Sequence, residues 1–125
     1  MHYVEIIAML VVVQFLFFGA LVGRARGRYG VKAPAVIGHE GFERAYRVQM
    51  NTLELMIALL PALFVAARFW PAEWVAGIGA IYLIGRFIYW RAYVVAPASR
   101  ALGFALSMLP VMVLVLMGLA GAILR

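Results

Sequence analysis

A chain of 125 residues that is 67% hydrophobic, with a mean hydropathy of +1.02, has too little polar surface to clothe a water-soluble domain of its size. Its composition therefore points to an integral membrane protein, and its length leaves room for one domain of several crossing helices, over residues 1–125, rather than a separate soluble one. The net charge of +6 does not indicate a nucleic-acid partner, because no polar domain exists to present a groove-reading element, and the absence of Cys and Asp excludes a thiol nucleophile, a disulfide and a Ser-His-Asp triad.

The first apolar span runs from about Val4 to Val22. Met1 to Glu5 lacks a basic region and no convincing small-residue cleavage site follows Phe18, so this segment is expected to stay as a helix rather than leave as a signal peptide. A basic, glycine-rich stretch from Gly23 to Gly30 follows it. The segment from Phe42 to Glu54 is polar, yet it enters the apolar stretch Leu55–Ala67 without a helix breaker. Helical spacing places Arg47, Asn51 and Glu54 at i, i+4 and i+7, on one face near the depth where hydrocarbon begins. Ionisable groups are costly there and tend to line a site, a water-filled cavity or a helix interface.

The second span is read as Asn51–Phe69 and is ended by Trp70-Pro71; the third, Trp74–Val95, is ended by Ala96-Pro97. A tight hairpin must join them. Pro61 and Pro110 fall inside spans, where each removes a backbone hydrogen bond that neighbouring helices must compensate. In the third span Arg86, Tyr89 and Tyr93 recur at i, i+3 and i+7, which makes one face amphipathic. Ser99 is expected to cap the fourth helix, about Leu102–Leu124, and to place Arg100 in its first turn, where free N–H groups and the helix dipole favour an anion. The cations flanking the first and last connections put both on the cytoplasmic side.

Simpler roles exist for many of these residues. Glu54 and Arg86 can pair as glue between helices, and Trp70, Trp74 and Trp90 suit aromatic belts at the membrane interfaces. One pair does not absorb Arg47, Arg86 and Arg100 beside a single carboxylate, and the surplus of cations suggests an anionic ligand. With only His2 and His39 and no Cys, no metal site is expected, so reactive groups arrive with the bound molecule.

The run Phe42-Glu43-Arg44-Ala45-Tyr46-Arg47-Val48-Gln49-Met50-Asn51, followed by Glu54 and joined by Arg86, Tyr89, Tyr93 and Arg100, resembles the MAPEG superfamily, the membrane-associated proteins of eicosanoid and glutathione metabolism. The likeness is greatest to its leukotriene-forming and microsomal glutathione transferase branch, although Leu55 stands where the leukotriene-forming members carry a tyrosine. The resemblance implies an all-α, four-helix membrane bundle that forms a homotrimer, with a glutathione site between protomers near the cytoplasmic face and an acceptor groove open to membrane lipid. It implies that Arg26, Arg47, Gln49, Asn51, Glu54, Arg86, Tyr89 and Tyr93 surround glutathione and that Arg100 lies by its sulfur as the catalytic residue. Glutathione would then be a co-substrate, attacking an apolar electrophile or a lipid hydroperoxide. The alternatives are a lipid-binding member without catalysis and a small four-helix multidrug exporter, for which Glu54 is the available intramembrane carboxylate.

Overall fold

The computed structural model describes residues 2–125 and consists of four α-helices, α1 Tyr3–Tyr29, α2 Glu40–Phe69, α3 Ala72–Val95 and α4 Ala101–Leu124, with a 3₁₀ turn over Pro97–Ser99 before the last. Each α-helix is long and apolar enough to cross a membrane. No strand occurs among the described residues.

The helices run beyond their apolar spans. α1 continues through Gly23 and Gly27 to Tyr29, with Glu5 in its first turn and Arg26 and Arg28 in its last, charges that complement the helix dipole at both ends. It stops at Gly30, whose φ of 71° is the left-handed conformation that glycine adopts freely, and the Val31 N–H closes back on the Arg26 carbonyl at 3.1 Å. At the start of α2 the His39 Nδ1 accepts from the Gly41 N–H at 2.9 Å, and the Tyr29 ring stacks on His39 with centroids 4.1 Å apart. Eleven polar-rich residues, 40–50, thus continue as helix into the apolar stretch, as the missing breaker implied.

Packing joins Val4, Ala8 and Val11 of α1, Leu55, Leu59 and Leu63 of α2, Val75 and Tyr82 of α3, and Val111 and Leu114 of α4 in one core. Large apolar side chains are also exposed along the bundle, among them Met9, Leu16, Ile57, Ile84, Leu116 and Leu119, an arrangement suited to lipid or to a neighbouring protomer rather than to water. Trp70 fixes the hairpin end by donating its indole N–H to the Met117 carbonyl at 2.8 Å.

The closest approach lies between α3 and α4. A Cβ added to Gly85 would stand 2.6 Å from the Leu106 carbonyl carbon and 2.7 Å from its oxygen, and one added to Gly103 would strike the Tyr89 backbone. The Leu106 carbonyl is the one that Pro110, lacking an N–H, leaves without its helical donor. Two glycines and a proline therefore let two backbones meet where bulkier residues would hold them apart.

One local expectation fails. Ser99 does not cap α4; it lies in the 3₁₀ turn and donates its hydroxyl to the Ala96 and Ala92 carbonyls at 2.7 and 3.2 Å. Arg100 occupies the N-cap position itself and offers no side-chain acceptor, so the first turn of α4 has no side-chain cap. The turn after Pro97 uses up the register that a serine cap would need.

Candidate functional site

Where α2, α3 and α4 meet at the basic end of the bundle, a cleft of about 480 Å³ is lined by Arg47, Asn51, Tyr89, Tyr93, Arg100 and Phe104. Arg47 and Asn51 come from successive turns of α2, as their spacing required, and Tyr89 and Tyr93 from successive turns of α3, with rings stacked 5.5 Å apart. Arg100 reaches the cleft from the start of α4, its Nη1 donating to the Pro97 carbonyl at 2.9 Å. No carboxylate lines this space.

Arg86 lies beneath the cleft and is fully buried. Its Nε donates to Ser107 Oγ at 2.8 Å, and its Nη1 donates to Asn51 Oδ1 at 2.8 Å and Thr52 Oγ1 at 3.2 Å. The Tyr89 ring stands 4.3 Å from the guanidinium carbon. Neutral oxygens and an aromatic face thus stabilise this cation without a carboxylate, so no ion pair neutralises its charge beside Asn51 and Tyr89 of the cleft. Its second terminal nitrogen, Nη2, is buried and finds no hydrogen-bond partner among the described residues. Ser107 and Thr52 pass their own protons to the Gly103 and Val48 carbonyls, each at 2.7 Å, so their oxygens are turned to accept from Arg86.

The remaining residues implied by the resemblance lie elsewhere in the protomer. Glu54 is exposed on α2 and does not line the cleft. Nor does it pair with Arg86, whose Nε and Nη1 are engaged by Ser107, Asn51 and Thr52; among the described residues the ion pair formed is Glu40–Arg44. Arg26 donates to the Ala35 carbonyl at 2.7 Å and lies 4.7 Å over the Phe42 ring, pinning the first connection to α1. Gln49 packs toward α1, where a Cβ on Gly19 would come within 2.8 Å of its amide nitrogen. Leu55 is buried in the main core.

Sequence reasoning passed over Phe104, Thr52 and Ser107. The two hydroxyls carried a signal, since each is a polar residue on an otherwise apolar helix face, Thr52 next to Asn51 and Ser107 two turns along from Arg100. Arg44 enters the sequence reading as part of the motif, with no contact of its own; its Nη1 donates to the Val94 and Val95 carbonyls at 3.1 and 3.3 Å and so ties the end of α3 to α2. No group of three or more potential metal ligands occurs among the described residues.

A family model, "MAPEG family", matches residues 4–120, nearly the whole chain. The chain belongs to the MAPEG family. Among similar proteins is an uncharacterized Synechocystis protein, 43% identical over 110 residues that cover 88% of this chain and 80% of that one. Human microsomal glutathione S-transferase 2 is 33% identical over 115 residues, 92% of this chain and 78% of its own length. Bovine leukotriene C4 synthase is 32% identical over 94 residues, 75% of this chain and 63% of the relative. The family assignment and the four membrane-crossing helices agree with the fold that the sequence implied.

Proposed function

We propose that this MAPEG protein is a membrane-bound glutathione S-transferase, with glutathione peroxidase activity on lipid hydroperoxides as a second use of the same thiolate. The observation that carries the reading is the cleft itself, where Arg47 and Arg100 stand above the buried Arg86 with two phenols, an amide and no carboxylate. Glutathione brings two carboxylates, an ammonium and a thiol, and guanidinium forks suit the carboxylates bidentately. Names of the relatives, microsomal glutathione S-transferase 2 and leukotriene C4 synthase, point to the same chemistry.

A thiol of pKa ~8.5 is mostly protonated at neutral pH, and lowering it by about two units, worth roughly 2.7 kcal/mol, makes thiolate the major form. Arg100, beside an uncapped helix start, is assigned that task. The sulfur then attacks an electrophilic carbon, forming a C–S bond as the leaving group departs with its electron pair or as an activated alkene takes up a proton. With a hydroperoxide it takes the outer oxygen, releasing an alcohol, and a second glutathione reduces the resulting sulfenic acid to give glutathione disulfide and water. Apolar acceptors reach the cleft from the bilayer, where they concentrate.

Arg26, Gln49 and Glu54 lie away from the cleft of their own protomer, and we assign Arg26 and Gln49 to the site of a neighbouring protomer in a homotrimer, with Glu54 meeting the ammonium at that boundary. The basic end is assigned to the cytoplasmic side, where glutathione is available. Glu54 lies among a surplus of arginines, which makes the cation site of a proton-coupled exporter electrostatically unfavourable.

Thiolate absorbance of added glutathione, read by difference spectroscopy at neutral pH in detergent, tests this reading. The parent is expected to give the signal and Arg100→Ala to lose it while keeping much of its glutathione affinity. No glutathione binding by the parent, or an equal signal in both proteins, would overturn it.

A further inference from the structure

A second cationic feature lies on a different face, where α1 and α3 run side by side. Here a cleft of about 340 Å³ is lined by Arg24 and Arg28 of α1, Arg91 of α3, and Leu21, Tyr29 and Trp90 among others. None of the three arginines belongs to the cleft at the α2–α4 junction. No carboxylate lines it either, and Glu40, the acidic residue next to its Gly41 wall, is engaged by Arg44. Arg24 and Arg28 are one helical turn apart, a like-charge spacing that costs an isolated helix stability, and Arg91 adds a third cation from another helix. Cations that only set topology have no reason to converge on one cleft from two helices.

Toward the middle of the bundle the same seam changes character. Arg91 lies 5.3 Å over the Trp90 ring on the inner side of the cleft, whereas Tyr29, 5.4 Å from Arg28, closes its outer end and stacks on His39. Phe17 of α1 meets Trp90 at 5.7 Å and Phe87 at 6.3 Å between centroids, and Phe17 and Phe87 are 41% and 44% exposed. Along this seam the surface thus passes from three guanidinium groups that form no ion pair among the described residues, through the Trp90 ring, which suits the membrane interface, to exposed apolar rings nearer the middle of the helices.

We propose that this furrow is a binding site for an anionic membrane phospholipid, with the headgroup phosphate held by Arg24, Arg28 and Arg91 and an acyl chain laid against Phe17 and Phe87. Guanidinium forks recognise phosphate oxygens, and the aromatic floor recognises the chain, so both halves of the ligand meet matching chemistry. A soluble phosphate would satisfy the rim alone and gain nothing from the apolar floor.

Native mass spectrometry of the detergent-released protein, mixed with equal amounts of phosphatidylglycerol and phosphatidylcholine of the same chain length, tests the site. The parent is expected to retain phosphatidylglycerol preferentially, and an Arg24→Gln/Arg91→Gln variant to lose about fivefold of that preference for each arginine removed. Arg68→Gln, at the opposite end of the bundle, is expected to keep it, and the helical circular dichroism melt reports that each variant is folded. Equal retention of the two lipids by the parent, or an unchanged preference in the folded double variant, would overturn the proposal. So would loss of bound phosphatidylglycerol on adding millimolar inorganic phosphate at constant ionic strength, which would identify a soluble phosphate as the ligand.

Discussion

Arg86 illustrates how a residue chosen for its chemistry can act through others. Its repetition with Tyr89 and Tyr93 was visible in the sequence, but its burial was not, because i, i+3, i+7 spacing defines a face without saying whether that face meets a ligand or another helix. The structure turns it inward onto Ser107, Thr52 and Asn51. Since Ser107 and Thr52 keep backbone acceptors of their own, an apolar replacement of similar length leaves no orphaned hydroxyl proton. Arg86→Met is therefore expected to remain folded, with a melting temperature near that of the parent, while Asn51 and Tyr89 lose their anchor and glutathione affinity falls by tenfold or more, about 1.4 kcal/mol. Thermal melts and calorimetric titration in detergent read the two effects separately, and collapse of the fold would show Arg86 to be chiefly structural. Ser107→Ala is the opposite case, because it strands the buried Nε; a loss of about 1–3 kcal/mol in unfolding free energy is expected.

At the scale of elements, the ends marked by proline were the most legible part, whereas the glycines at 23 and 27 do not end α1, which runs on to Tyr29. Pro71 and Pro97 end helices for a reason that any context respects, and the absence of a breaker between Phe42 and Leu55 does become continuous helix. Relative placement was not legible, since helices that are apolar on nearly every side carry little periodicity to say which side faces which neighbour. Gly85 and Gly103 supply what that pattern lacks. Alanine at either position drives a methyl group into backbone rather than into a side chain that can move aside, so α3 and α4 must separate and shift Tyr89 against Phe104. A destabilisation of about 1–3 kcal/mol is expected for Gly85→Ala, together with a weaker thiolate signal from glutathione. Gly77, also in α3, has nothing within 4 Å of an added Cβ, so Gly77→Ala is expected to be neutral or to stabilise by about 0.5–1 kcal/mol through the helix propensity of alanine. Equal melts for the two variants would remove the close crossing from the account of the site.

For the whole molecule, the proposed glutathione site draws on residues split between two regions of one protomer. Composition made the membrane legible, and the family motif suggested a shared site, but no pattern within the chain says which surfaces meet. The structure gives the separation: Arg47, Asn51, Tyr89, Tyr93 and Arg100 on one cleft, with Arg26 and Gln49 turned toward the first connection and α1. In the proposed homotrimer each site takes its halves from adjacent protomers, and that arrangement makes a prediction no single-protomer site can match. Proteins carrying Arg26→Ala alone or Arg100→Ala alone should each have little activity. Co-expressed in equal amounts and assembled at random, they place an intact Arg26 opposite an intact Arg100 at about one boundary in four of a closed ring, so about a quarter of the parent's activity should return. Mixing the two proteins after separate purification, without subunit exchange, should return none. If co-expression also restores nothing while mixed trimers are demonstrated by dual affinity tags, Arg26 and Arg100 do not meet across a protomer boundary, and the shared site must be abandoned even if glutathione still binds.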